Sequence, residues 1–506
     1  MTFHRFTAIS LIFSAILLSC GTGEDTAYLP QFEFCQPELF GESGTLTNAW
    51  TDYDNDGDLD LFVGFRNKAN RLYRNDDGFF ADVAGEVGLA DTDVTRASAW
   101  GDYNNDGFVD LYIGFASGSD LGNRLYRNDG GRRFTDVTTQ TGVILSGGNT
   151  RQVCWIDYDG DGDLDLFIAL RDLPNILFRN DGGRFTDVAG SLEIDDTRRT
   201  VGAVWFDFDK DGDLDLFNAN MDGDANGFYR NDRTHFTDIA EALGVDSGGR
   251  QLGSPDNGSV RPSLVDYDND GFIDIYMANY GPNTLYRNQN GSSFGDVGAE
   301  TGLAIDSRYD TGTWGDFDND GYQDLYVNGT ITGGVSYRDY LYHNDQGTFT
   351  DVTPENILLQ EADHGAHWVD FDRDGDLDLS LTGAAETGMH HLFRNMLPEN
   401  RRASSIQVMV LDERGHATRA GSEVRVFPAD NRTLLGTGIL DTGSGYNSQN
   451  VMPVHIGLGD VRMIDIEITI MTGGTRKSTE FTDIDPNSYV GRVFTVRIDP
   501  EGRAIR

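Results

Sequence analysis

Short apolar runs, rich in β-branched and aromatic residues, recur along the chain between clusters of Asp and Gly. LDLFVGF (59–65), LDLFIAL (164–170) and IDIYMAN (273–279) are examples. Runs of this length and composition read as β-strands. Each follows an acidic turn, and apolar residues precede that turn. A Trp stands two places ahead of it at Trp50, Trp100, Trp155, Trp205, Trp314 and Trp368, and Leu264 takes that place in the fifth unit. After each run comes Asn-x-Leu-Tyr-Arg-Asn or a variant, as in NRLYRN from Asn70 and from Asn123. A fourth segment, FTDV or similar, begins at Phe134, Phe185, Phe236 and Phe349. Four short strands per unit of ~50 residues, seven times over, predict an all-β chain folded as a seven-bladed β-propeller. The acidic turn would join the first and second strands of each blade.

The seventh unit lacks its fourth segment: after Asn395 the chain reads MLPENRR. Phe32-Glu33-Phe34, ahead of Trp50, is the candidate replacement. It would close the ring and remove its open edges. Residues 31–398 are therefore assigned to the propeller. Residues 399–506 keep strand-like runs (SIQVMVLD, SEVRVFP, MIDIEITIM, RVFTVRID) without the repeat and are read as a small, sandwich-like all-β domain.

Residues 1–19 read as an export signal. Phe6 to Leu18 is apolar but short for a membrane span. Leu17-Leu18-Ser19-Cys20 resembles a lipobox, which makes Cys20 the lipidation site and 20–30 a tether; a plain secretory cleavage nearby is the alternative. The expected location is the bacterial outer membrane, reached through the lipid anchor only. The other two cysteines, Cys35 and Cys154, are read as small buried hydrophobes, not as a bridge.

The acidic turn is Asp-aromatic-Asp-x-Asp-Gly-x-x-Asp. It begins at Asp52, Asp102, Asp157, Asp207, Asp266, Asp316 and Asp370, with gaps of 50, 55, 50, 59, 50 and 54 residues. Counting that Asp as position 1, position 3 is Asp54, Asn104, Asp159, Asp209, Asp268, Asp318 and Asp372. Position 5 is Asp56, Asp106, Asp161, Asp211, Asp270, Asp320 and Asp374. Position 9 is Asp60, Asp110, Asp165, Asp215, Asp274, Asp324 and Asp378. Position 6 is Gly throughout. Position 7 is Asp58, Phe108, Asp163, Asp213, Phe272, Tyr322 and Asp376; because Phe and Tyr occur there, it is expected to offer its main-chain carbonyl. Converging carboxylates repel unless a cation neutralises them. All-oxygen ligation argues against zinc and copper, and Mg²⁺ dehydrates reluctantly. The expectation is one Ca²⁺ per blade, up to seven, acting mainly as staples. A row of acidic turns without metal is the alternative. The half-loop resembles that of an EF-hand, but position 12 is never the bidentate Glu.

Charge narrows the partners. The chain has 83 Asp plus Glu against 39 Lys plus Arg, a net −44, which repels nucleic acid. Length variation falls at 115–123, 218–226, 246–262 and 328–339, on the face opposite the carboxylate loops. A protein or glycan ligand is expected to dock there. Four histidines of the seventh unit, His364, His367, His390 and His391, with Asp363, could form a second metal or ligand site; histidines without metal are the alternative. The repeated Arg of the third strand (Arg74, Arg127, Arg179, Arg230, Arg287 and Arg394, with His343 in the sixth unit) is expected to pair with a nearby Asp.

The repeated loops resemble the FG-GAP or VCBS-type repeats of integrin α-chain propellers and bacterial exported proteins. GSGYNSQN (443–450) followed by VHIGLG (454–459) resembles the ASPIC/UnbV domain, in the order found in the cartilage acidic protein family. That resemblance implies an exported calcium-binding protein and no defined activity. In the C-terminal stretch, Tyr446, Asn447, Gln449 and His455 either line a ligand site or satisfy backbone groups. The expected function is a calcium-stabilised scaffold for recognition at the bacterial envelope, non-enzymatic. The alternative is an envelope enzyme, polysaccharide-active for example, using the propeller channel and the blade-seven histidines.

Overall fold

The computed structural model describes residues 29–116, 122–145, 147–247, 252–253, 257–332, 335–358, 364–383 and 390–505. The signal segment, Cys20, most of the tether and Asp363 lie outside them. The described chain is nearly all β. Seven four-stranded antiparallel meanders follow one another, beginning with Thr45–Thr51, Asp60–Phe65, Arg71–Asp76 and Phe79–Asp82. The seventh contains Ala366–Val369, Asp378–Leu381 and Leu392–Asn395. Its fourth strand is Phe32–Phe34, paired Phe32↔Asn395 and Phe34↔Phe393 as expected. In the fifth meander the second strand runs on to Pro282 and pairs with Asp306–Arg308 of the sixth, joining those two sheets.

Indoles hold neighbouring blades together. Trp50, Trp100, Trp155 and Trp205 are fully buried. Trp100 Nε1 donates to Ala49 O of the preceding inner strand (3.2 Å), Trp155 to Ala99 O (3.3 Å) and Trp368 to Thr313 O (3.3 Å). Trp100, Trp155 and Trp368 thus add a hydrogen bond to their large apolar burial, whereas Trp50 and Trp205 Nε1 are buried without a partner.

Residues 405–505 form two packed four-stranded sheets. One contains Ser405–Leu411, Val454–Gly457, Val493–Ile498 and Ala504–Ile505. The other contains Glu423–Pro428, Gly436–Ile439, Ile464–Met471 and Arg476–Ile484. Strict alternation turns Ile406, Val408 and Val410 inward from one sheet and Ile464, Ile466, Ile468 and Ile470 from the other. This is the β-sandwich pattern. Cys154 is buried, whereas Cys35 is only half-buried, packed against the apolar cluster that contains Phe40, Phe80 and Phe371, and both are free thiols.

Candidate metal centres

Each acidic loop folds around its first Asp. Asp52 Oδ1 accepts from the Asp56 amide (3.0 Å) and Oδ2 from the Gly57 amide (2.9 Å), while Asp56 Oδ1 accepts from the Asp58 amide (3.0 Å). The sequence demands this turn: position 4 takes positive φ, as at Asn55 (59°) and Asn319 (59°), and so does position 6, as at Gly57 (98°). The position 9 carboxylate returns from the second strand. Asp60 accepts from the Asn75 amide (2.8 Å) and the Tyr53 amide (3.1 Å).

The carboxylates converge. In blades one, three, four and five the ligand atoms of positions 1, 3 and 9 lie within 4.8 Å of one another, as in Asp52, Asp54 and Asp60. At position 3, Asp54, Asp268, Asp318 and Asp372 each keep one buried oxygen, Oδ1, with no hydrogen-bond partner. Buried oxygens left open beside other carboxylates suit a hard cation. Burial pushes Asp52 up to about 6, Asp157 and Asp266 to about 7, Asp370 to about 8 and Asp60 to about 9; the neighbouring loop carboxylates push the same way. The position 7 carboxylates each take one partner from outside the loop. Asp58 accepts from the Asp77 amide (2.9 Å), Asp163 from Gly182 (3.1 Å) and Asp376 from Leu397 (3.2 Å), and Asp213 pairs with Arg233. Asp376 Oδ1 is buried with no hydrogen-bond partner, so in blade seven the position 7 carboxylate still faces the loop.

The repeated Arg obeys a rule in the sequence. Where an Asp follows two residues later it takes the guanidinium: Arg74–Asp76, Arg127–Asp129, Arg179–Asp181 and Arg230–Asp232. Gln289 and Met396 occupy that place in blades five and seven. There Arg287 swings onto Asp268 (2.7 Å) and Asp270, and Arg394 onto Asp372 (2.7 Å). In blade six His343 lies against Asp318 and Asp320, whose hydrogen bonds raise it to about 11.

A second repeated side chain, the last Asn of the NRLYRN motif, was not anticipated as a tie between blades. Its Nδ2 donates to a carbonyl in its own loop and to the position 2 carbonyl of the preceding blade. Asn128 reaches Tyr53, Asn180 Tyr103, Asn231 Tyr158, Asn288 Phe208, Asn344 Tyr267, and Asn395 Phe317. Asn75 reaches Phe371 O (2.8 Å), so the series returns to its start. The amide of the same Asn holds the position 9 Asp in every blade. The signal was legible, since this Asn occurs in all seven units.

The C-terminal domain lies on the carboxylate loops. Gln407 donates to Asp370 (2.6 Å), Arg476 to Asp207 (2.6 Å) and Arg401 to Asp318 (3.0 Å), and Arg402 pairs with Asp374. His455 bonds Asn319 (2.7 Å), and a Cβ at Gly457 would run into Asp316. HIGLG is therefore a close-approach motif. Gly160, the one Gly at position 4, is explained likewise: a Cβ there would meet Gly473 N at 2.5 Å.

The stretch 442–450 enters the channel. Thr442, Gln449 and Asn450 hydrogen-bond the main chains of Trp205, Trp155 and Trp50, and Ser448–Gln449 pairs in parallel with Ser98–Ala99. Tyr446, Asn447 and Gln449 thus belong to a segment that satisfies the inner strand edges. The four histidines do not assemble into one site. His364 stacks on Tyr446 (4.5 Å) and bonds Asp310 (2.7 Å), and His367 bonds Ser448 (2.9 Å). His390 sits among Phe40, Phe65 and Tyr73, and His391 against Phe34 and Phe393. Their aromatic and channel-facing neighbours draw them in different directions.

These features define a β-propeller with several acidic residue groups that could hold metal ions, capped by a β-sandwich. The FG-GAP-like repeat profile matches residues 52–113, 115–168, 157–218, 266–327 and 331–380, more than half of the chain. The chain belongs to the FG-GAP-like repeat family. It is 27% identical to mouse cartilage acidic protein 1 over 253 residues, 48% of this chain and 37% of that protein. It is also 27% identical to the human protein over 244 residues, 46% and 35%. The match spans little more than a third of those relatives, and the similarity supports the ASPIC/UnbV assignment. BBS1N, solved in complex with ARL6DN, superposes with a TM-score of 0.46 at 12% identity, over 73% of this chain and 97% of that one.

Proposed function

We propose that this protein is a calcium-loaded, non-enzymatic recognition scaffold, exported and lipid-anchored at a bacterial envelope, that binds a protein or glycan on the face away from the acidic loops. The observation that carries the reading is the set of converging carboxylates, with open buried oxygens at position 3, linked from blade to blade by one cycle of asparagines. Positions 1, 3, 5 and 9 would supply carboxylate oxygens to each Ca²⁺, with Asn104 in blade two, and position 7 its carbonyl. The ion would neutralise charge that the fold otherwise buries at a cost.

One arrangement invites an enzymatic reading: Ser448, His367 and Asn450 lie in hydrogen-bonded sequence. The geometry opposes it. Asn450 Oδ1 accepts from the Trp50 amide, so its Nδ2 faces His367 Nδ1 (3.1 Å). His367 Nδ1 must then accept, and Nε2–H donates to Ser448, the reverse of a general base. All three side chains are buried.

The test is metal analysis of the native protein, then thermal melting with Ca²⁺ and with EDTA, and pull-downs from envelope extracts in both conditions. Bound calcium, a lower melting temperature in EDTA and calcium-dependent capture are expected. Metal-free native protein whose melting EDTA does not change would defeat the reading.

A further inference from the structure

Arginines in this acidic chain are mostly ion-paired, and the exceptions that are also buried lie around the channel. Arg261 is 1% exposed and Arg151 7% exposed, and no carboxylate of the described residues lies within ion-pair distance of either. Arg151 makes no hydrogen bond to a described residue, and its Nε is buried without a partner. Arg261 is met by the Tyr446 ring (4.5 Å), Val260 O (3.1 Å) and Asn447, all neutral, and its Nε is also open. Burial lowers Arg261 to about 10, with Arg96 pushing the same way and Asp310 only partly opposing it. Arg96, half-buried, donates to the Tyr446 hydroxyl (2.9 Å) and keeps an open Nε.

Register puts Arg96 and Arg151 at one level. Each is the bulged residue of its inner strand, between Thr95 and Ala97 and between Thr150 and Gln152. The preceding threonines are pinned alike, by Asn70 (2.8 Å) and Asn123 (2.9 Å). Neighbouring blades therefore carry the two arginines at equivalent positions, at the end of their inner strands away from the carboxylate loops, where the sixth blade carries Asp310 in the same bulge. The nearby acid, Asp310, is already held by His364 and by the Tyr280 hydroxyl (2.9 Å). Removing a guanidinium from water without a counter-charge costs several kcal/mol, and a planar fork with open donors matches an oxyanion.

We propose that this end of the channel binds one small oxyanion of the carboxylate or sulfate class, held by Arg96 and Arg151 with Arg261 behind them, either free or at the end of an acidic sugar chain. The proposal deepens the recognition reading by giving its ligand a charge and a size. It is tested by calorimetry on the full chain in saturating Ca²⁺ at fixed ionic strength, with sulfate, glucuronate and a glucuronate-terminated oligosaccharide as probes, on wild type, R96Q and R151Q. One anion per chain is expected, weakened about ten-fold or more in either variant. Tighter binding of the oligosaccharide than of the free anions identifies a glycan source; equal binding identifies the free ion. No binding at ~10 mM, or binding unchanged in both variants, overturns the proposal. Calcium content measured on the same samples separates the two readings. Calcium present with no anion bound defeats only the anion site, whereas anion bound without calcium defeats only the calcium scaffold.

Discussion

Replacing Asn180 by Ala removes one link of the asparagine cycle. Asn180 is fully buried. Its Nδ2 serves Tyr103 O of the preceding blade (2.8 Å) and Leu164 O of its own loop (3.0 Å), and its Oδ1 takes the Gly183 amide (2.7 Å). Alanine leaves two buried carbonyls and one amide without these partners, at roughly 1–3 kcal/mol each when fully unsatisfied. Shared relaxation and water entry bring the sum to about 3–5 kcal/mol. At an unfolding entropy of ~2.1 cal/mol/K per residue for a domain of this size, the melting temperature should fall by roughly 4–7 °C. The assay is differential scanning calorimetry in saturating Ca²⁺. Asn180→Asp serves as a second perturbation: it keeps the acceptor for Gly183 but turns a carboxylate toward two carbonyls, and it should cost at least as much. A fall under ~1 °C for both variants would refute the view that the cycle bears structural load.

Three further outcomes follow. With calcium present at ten times its dissociation constant, each occupied loop should add about 1.4 kcal/mol of stability, so a calcium titration should raise the melting temperature steadily and EDTA should reverse it. In EDTA, stability should fall as pH rises from about 5 to 9. The folded protein keeps Asp52, Asp157, Asp370 and Asp60 protonated up to about 6, 7, 8 and 9, so it holds more protons than the unfolded chain in that window; in Ca²⁺ the trend should flatten or reverse as protons compete with the ion, and a metal-free melt higher at pH 8.5 than at 5.5 would contradict this. Gly457→Ala should cost about 1–3 kcal/mol by forcing a methyl against Asp316 and Asn319, and limited proteolysis should cut faster near residues 398–404.

The strands and acidic loops were legible because both are local. Short apolar runs bounded by Asp and Gly fix the strands, and spacing from Asp52 to Asp60 fixes a loop whatever surrounds it. The closing strand at Phe32–Phe34 was legible because one repeat lacked what the others had. The rest depends on surfaces that meet far apart in sequence. Nothing near His364 or His367 announces that Tyr446 and Ser448 will arrive beside them. The glycines of GSGY and HIGLG were the available signal, since they permit close approach without saying to what. The split of the repeated arginines was readable in hindsight from Gln289 and Met396, which withhold the carboxylate present in the first four units.

The closing strand also sets a schedule. Phe32 leaves the ribosome early, but its partner Asn395 follows only after the intervening blades, roughly 20–70 s later at typical translation rates. During that interval the amino-terminal segment has no mate, and until it docks the last blade is one strand short. Until the two meet, both raw edges must be kept from pairing with a second nascent copy.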